Sequence, residues 1–128
     1  MASNYKGVII EESLEDTGVI KTIKVVSTKI ENVTEKHRTP WVKTWTKYNV
    51  EISEEQADDV ATILSQSLDS KHDWYADFKN DTFHYIIFKN RIFKINRSKK
   101  EEYDEATKYG IFLGIPDYQV NFSSFIKL

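Results

Sequence analysis

WYADFKNDTFHYIIFKNRIFKINR, residues 74–97, alternates aromatic and β-branched side chains and carries two short polar dipeptides, Asn80-Asp81 and Lys89-Asn90, at hairpin spacing. It reads as a three-stranded meander. If both dipeptides form two-residue turns, which asparagine's tolerance of positive φ allows, Phe78 faces Phe83 and Ile87 faces Ile92. Because side chains alternate across a strand, one face then carries Trp74, Ala76, Phe78, Phe83, Tyr85, Ile87 and Ile92. The other carries Tyr75, Ile86, Phe88, Phe93 and Ile95, with Asp77 directly opposite His84. Both faces are apolar, so the sheet is expected to be covered on both sides or to lie at an interface.

Upstream, residues 5–13 and 19–32 are β-branched and separated by Glu15-Asp16-Thr17-Gly18, which predicts a first hairpin. After a turn at 34–40 containing Pro40, strict alternation from Val42 to Ile52 predicts another strand, with mixed character on both faces. Ser53-Glu54-Glu55-Gln56 has the form of a capping box. It opens a helix in which Ala57, Val60, Ala61, Leu64 and Leu68 share one face and the acidic first turns suit the helix dipole. Ser98 and Glu101 repeat the capping pattern before a second helix lined by Tyr103, Ala106, Tyr109 and Gly110, which Gly110 can terminate. The tail is apolar, with Pro116 after the helix and an edge strand expected at Tyr118 to Phe122.

The length of 128 residues suits one domain, 1–128, with a core of its own. The resulting expectation is an α+β fold: an antiparallel sheet of about six strands and two amphipathic helices, in the order βββα-βββα. The two halves match in element order and in their caps but not in other residues, so the letters give an internal duplication only weak support.

Composition narrows the functional classes. With no Cys there is no disulfide framework, thiolate metal site or cysteine nucleophile, which suits a reducing cytosol. The N-terminus lacks the pattern of a secretory signal, and no run reaches the roughly 18 to 20 apolar residues of a membrane span. The chain is therefore expected to be cytoplasmic and free of membrane. Sequons at Asn32, Asn80, Asn96 and Asn121 then have no route to glycosylation. The net charge is only -2, but it is unevenly spread. Basic runs cover Lys36 to Lys47 and Lys89 to Lys100, whereas 51–70 is acidic, so the surface is expected to be dipolar.

Asp77 and His84 form the candidate catalytic pair, since a carboxylate bonded to imidazole fixes its tautomer and raises its basicity. No nucleophile or G-x-S-x-G elbow accompanies them; Arg97 or Lys79 could stabilise an anion. The same pair is also what a half-buried histidine needs merely to satisfy its hydrogen bonds. His37, His72 and His84 could in principle meet Asp73 or Asp77 at a metal, yet none has a recognised ligand spacing, and neither metal nor cofactor is expected. Aromatics interleaved with cations, as in Tyr85, Arg91, Phe93, Lys94 and Arg97, suit single-stranded nucleic acid, although the same letters describe core rings with a solvated rim. Trp41 and Trp45, beside His37 and Pro40, are either binding anchors or sheet packing.

The segments WYADFKN, HYIIF, YGIFLGIPDYQ and TEKHRTPW resemble a small prokaryotic family of hypothetical proteins. The resemblance implies one small domain, with no activity or site residues to carry over. Three readings thus stand. The first is a non-enzymatic binding or interaction domain, with a protein partner or a homo-oligomer, because no complete catalytic constellation can be assembled. The others are a small hydrolase-like acid/base enzyme using Asp77 and His84, and a single-stranded nucleic-acid binder.

Overall fold

The computed structural model describes residues 4–34, 42–72, 74–115 and 119–122. Its strands are β1 (Tyr5–Ile10), β2 (Lys24–Asn32), β3 (Thr44–Ile52), β4 (Tyr75–Lys79), β5 (Phe83–Phe88) and β6 (Arg91–Asn96). Helix α1 (Ala57–Ser67) follows β3 and helix α2 (Lys100–Leu113) follows β6, giving the expected βββα-βββα order. All strands join one sheet in the order β2-β3-β1-β4-β5-β6, and every pairing is antiparallel.

The first hairpin does not form as expected: β1 pairs with β3 and β4, and β2 pairs only with β3. The reason lies in residues 11–23, which build two 3-10 turns, Glu11–Ser13 and Thr17–Thr22, in place of a tight reversal. Leu14, Val19 and Ile23 of this segment are buried in the core, so the chain travels over the sheet and β2 arrives outside β3. Glu12 holds the segment down by accepting from Thr46 N at 2.6 Å and Thr46 Oγ1 at 2.9 Å.

The β5–β6 hairpin has the predicted register, Ile87 opposite Ile92, with Asn90 at φ 61° in the turn. The β4–β5 hairpin is shifted. Phe78 pairs with Tyr85, Asp77 with Ile86 and Lys79 with His84, so neither Phe78–Phe83 nor Asp77–His84 is a directly opposed pair. Asn80 causes this by acting as a side-chain cap instead of a positive-φ turn residue. Its Oδ1 accepts from Thr82 N at 2.9 Å and Phe83 N at 2.8 Å, which moves the tip to Asp81-Thr82. Each strand slips by one residue relative to the turn, so the pairing keeps its parity and the predicted faces survive.

Those faces are covered on both sides. Trp74, Ala76, Phe78, Tyr85 and Ile87 join Tyr5, Ile9, Val50 and Ile52 beneath the Ala57, Val60, Ala61, Leu64 and Leu68 face of α1. Ile86, Phe88 and Ile95 pack on the opposite side against Tyr103 and Ala106 of α2 and against Val120 and Phe122 of the tail. Each fully buried large apolar side chain contributes about 1.5–3 kcal/mol, so the two layers together supply most of the drive to fold.

The caps differ from the expected boxes. Ser53 Oγ does accept from Gln56 N at 3.3 Å and donates to Gln56 Oε1 at 3.1 Å, but the side-chain Nε2 of Gln56 donates to Thr22 O at 3.2 Å, and regular helix starts only at Ala57. Before α2 the Ser98 hydroxyl donates to Asn96 Oδ1 at 2.7 Å, while Glu102, not Glu101, reaches back to Asn96 N at 3.0 Å. Gly114, at φ 100°, ends α2, and Gly110 lies inside the helix. A Cβ on Gly110 would sit 2.7 Å from Val120 Cγ1, so the helix needs glycine there to admit the tail. Pro116 and Tyr118 fall outside the described residues, and Gln119 to Phe122 form no strand. Their carbonyls are taken by side chains instead: Tyr75 OH donates to Gln119 O at 2.8 Å and Thr107 Oγ1 to Val120 O at 2.6 Å.

A polar clamp joins the end of α1 to the segment after β1. Glu15 N donates to Ser67 O at 2.7 Å, Asp69 N to Ser13 O at 2.8 Å and Ser70 N to Glu15 Oε1 at 2.7 Å. The Ser70 hydroxyl and amide hold the Glu15 carboxyl below its ordinary range. Burial alone would raise Asp69, but the Lys71 amide and the His72 imidazole outweigh it and the net direction is down. A carboxyl depressed in the folded state contributes above its unfolded pKa and loses that contribution as pH falls through its folded value. Acidification below the usual carboxylate range should therefore release Ser70 before the core melts. The Ser70 amide NMR resonance is expected to titrate there in the wild type and to show no such step in Glu15→Gln; identical curves would refute the clamp.

Candidate functional site

Two places concentrate polar chemistry, one buried and one open. The buried place centres on His84, which points from β5 toward α2 and is 0% exposed. Its Nε2 lies 2.7 Å from Asp77 Oδ2, reached diagonally across β4, and its Nδ1 lies 3.0 Å from the hydroxyl of Tyr103 on α2. Arg97, at the end of β6, donates to the Tyr103 oxygen and, through Nη1, to Asn80 O at 2.8 Å. Burial pushes the Tyr103 hydroxyl up, the Arg97 charge opposing it.

Donor and acceptor inventories fix the direction of this chain. Arginine can only donate and an ionised carboxylate can only accept. With the imidazole neutral, Nε2 carries the proton that meets the Asp77 carboxylate, so Nδ1 accepts from the Tyr103 hydroxyl, whose oxygen accepts from Arg97. The arrangement is a row of hydrogen bonds with a cation at one end and an anion at the other, each polarising the next. The two ends of the row retain openings, Asp77 with its side chain 23% exposed and Arg97 half-buried. The imidazole itself cannot touch a solute while α2 is in place.

The remaining predicted site residues scatter. Lys79 is half-buried on β4, opposite His84 in the ladder. The Arg91 guanidinium stands 4.9 Å from the Phe93 centroid and 5.5 Å from that of Tyr109. Lys94 Nζ covers Phe83 at 4.6 Å and Tyr85 at 5.5 Å. The rings are committed to packing: Tyr85 is buried with its hydroxyl bonded to Asp58 of α1, and Phe93 packs beside Tyr109. Trp45 is half-buried on β3 with its ring 5.9 Å from that of Trp74. Trp41 and His37 lie outside the described residues, as does Asp73. His72 bonds Asp69 at 2.9 Å, and among the described residues no three His, Asp or Glu side chains gather as a metal-ligand set. No helix among them is long and apolar enough to cross a membrane.

The open place is β2. It is an outer strand of the sheet, nine residues long, and every residue of it is exposed except the half-exposed Glu31. Val26 at 60% and Ile30 at 68% are among the most exposed large apolar side chains described, and Val25 lies beside them. Val33 N donates to Lys43 O at 2.9 Å, and alternation in an antiparallel ladder then turns the backbone groups of Ser27, Lys29 and Glu31 toward β3. Those of Thr28, Ile30 and Asn32 point away from the sheet. The Thr46 amide, opposite Ile30, agrees with this phase, since it turns from β2 to bond Glu12.

Tyr103 and β2 were the pieces not singled out from sequence as site elements. A tyrosine at a core-facing helix position carries a signal, because its buried hydroxyl requires a partner. The exposure of β2 depends on strand order, which residues 24–32 do not encode locally. Comparison with protein-family models, curated proteins and solved structures finds no match to this chain.

Proposed function

We propose that the chain is a non-enzymatic interaction domain that takes a protein partner along the free edge of β2. The observation that carries this reading is the combination, on one strand, of outward backbone donors and acceptors at Thr28, Ile30 and Asn32 with exposed Val26 and Ile30. Such an edge is a template for one more strand: main-chain hydrogen bonds give affinity and alternate side chains give selectivity. The lack of cysteine supports placing the protein in the reducing cytoplasm.

The geometry gives less support to the other readings. An acid/base enzyme needs its histidine within reach of a substrate, and His84 lies beneath Tyr103 with both ring nitrogens engaged. A base-stacking surface needs rings open to solution, whereas Tyr85 and Phe93 serve the two cores.

The test uses a photo-crosslinking amino acid at position 30, with position 62 on exposed α1 as control, in the native host. An adduct is expected from position 30 alone. Thr28→Pro removes an outward N–H without touching a β3 bond, a substitution edge strands tolerate, and should cut the adduct by about ten-fold while circular dichroism is unchanged. Equal labelling from position 62, or an adduct indifferent to Thr28→Pro, would overturn the proposal.

A further inference from the structure

Resting on the β2 docking reading, we infer that the occupant of this edge is a second copy of the chain, joined β2 to β2 in antiparallel fashion with Ile30 on the two-fold axis. Register limits where the axis can lie. A new antiparallel strand must pair outward-pointing residues with outward-pointing residues, or the main-chain bonds between them are not made. In a symmetric pair this restricts the axis to a residue, not to a peptide bond between residues.

The charges on β2 then choose among the centres. An axis through Lys29 sets Lys29 against its own copy, and one through Glu31 sets Glu31 against its own copy; directly opposed like charges are destabilising. An axis through Thr28 sets Lys29 opposite Ser27 and gives it no acid across the interface. With the axis at Ile30, Lys29 of each copy lies opposite Glu31 of the other, twice per dimer. Thr28 then pairs with Asn32, and Ile30 meets Ile30.

The monomer leaves Lys29 in need of such a contact. Its cross-strand neighbour is Lys47, and Glu31 already bonds that lysine at 2.9 Å. No ion pair among the described residues reaches Lys29. A lysine and a bulge on an edge strand ordinarily discourage pairing, and the irregularity between Val25 and Ser27 does end the straight stretch. Residues 27–33 lie beyond it, and there the lysine two residues before a glutamate becomes self-complementary. The contact is narrower than a standard interface of about 1,600 Å², so the dimer is expected to be weak and concentration-dependent.

Sedimentation velocity of the full chain over a range of concentrations tests this. The wild type should pass from monomer to dimer, with less dimer at high salt. Lys29→Glu opposes two acids and Glu31→Lys opposes two bases, and each alone should raise the dissociation constant by about ten-fold or more. Mixed in equal amounts, the two variants should dimerise again, because every acid at position 29 or 31 of one variant then meets a base of the other across the heterologous pair. Circular dichroism establishes that each variant is folded. A wild type that stays monomeric overturns the second copy as occupant, and crosslinking from position 30 to a different protein would still uphold the docking edge. Dimers that persist in both single variants place the contact elsewhere, and folded variants that fail to rescue each other overturn the register.

Discussion

Replacing Gly7 by alanine should destabilise the protein by about 3 kcal/mol, at the upper end of overpacking costs, and replacing it by valine should abolish the fold. Gly7 lies on β1 between Val50 of β3 and Phe78 of β4. A Cβ there would stand 2.7 Å from Phe78 Cβ and 2.8 Å from Phe78 Cα, distances that only movement of the neighbouring strand can relieve. Phe78 cannot yield, because it is fully buried with its ring 5.4 Å from Tyr5 and 4.8 Å from Tyr85. The registered pairs between β1 and β4 are Lys6–Lys79, Gly7–Phe78 and Val8–Asp77, and among the described residues they alone join β2-β3-β1 to β4-β5-β6 within the sheet. Displacement at the middle pair opens that seam. A typical domain has about 5–15 kcal/mol in total, so a few kcal/mol lost here is a large share.

The sign of the effect makes the test sharp. At an unconstrained site Gly→Ala stabilises by about 0.4–1 kcal/mol, because it restricts the unfolded chain. Gly18→Ala supplies the comparison, since its Cβ would meet no atom nearer than Asp16 Oδ1 at 3.1 Å, in an exposed turn. Urea denaturation should show a lowered midpoint for Gly7→Ala and little change for Gly18→Ala. Equal midpoints for the two variants would show that the β1–β4 seam is not tight.

What sequence can and cannot encode is visible in these same residues. The meander, its two apolar faces and both helices follow from local periodicity, and they match because each face found a helix to cover it. The proximity of Asp77 and His84 was legible for a reason independent of the turn: a slip that preserves parity keeps both side chains on one face, within diagonal reach. The Asn80 cap was not, since an asparagine can serve a hairpin by its backbone or by its side chain. Strand order was not legible either. Residues 11–23 are apolar enough to lie in the core or to flank a turn, and only contact with the whole sheet decides that β2 passes outside β3. The candidate docking edge exists because of that decision.

The contribution of Tyr103 was hidden in a similar way, and it determines what removal of His84 should do. His84→Leu is expected to cost about 3 kcal/mol, combining the lost bonds with the penalty of about 1–3 kcal/mol for a buried hydroxyl left without an acceptor. Asp77, partly open to water, can replace its lost donor with solvent; Tyr103, fully buried, cannot. Tyr103→Phe alone should cost less, because half-buried Arg97 can turn its freed donor to solvent and only the nitrogen that accepted the phenol proton is stranded. The double variant removes both members of the mismatch, so its cost should fall short of the sum by at least about 1 kcal/mol. Urea denaturation of the four proteins measures this coupling directly. Strict additivity would mean that the phenol and imidazole do not satisfy each other. A loss of stability shared through Tyr103 identifies the Arg97–Tyr103–His84–Asp77 row as the polar fastening of α2 to the sheet, which explains why a histidine beside a carboxylate is sealed beneath a helix.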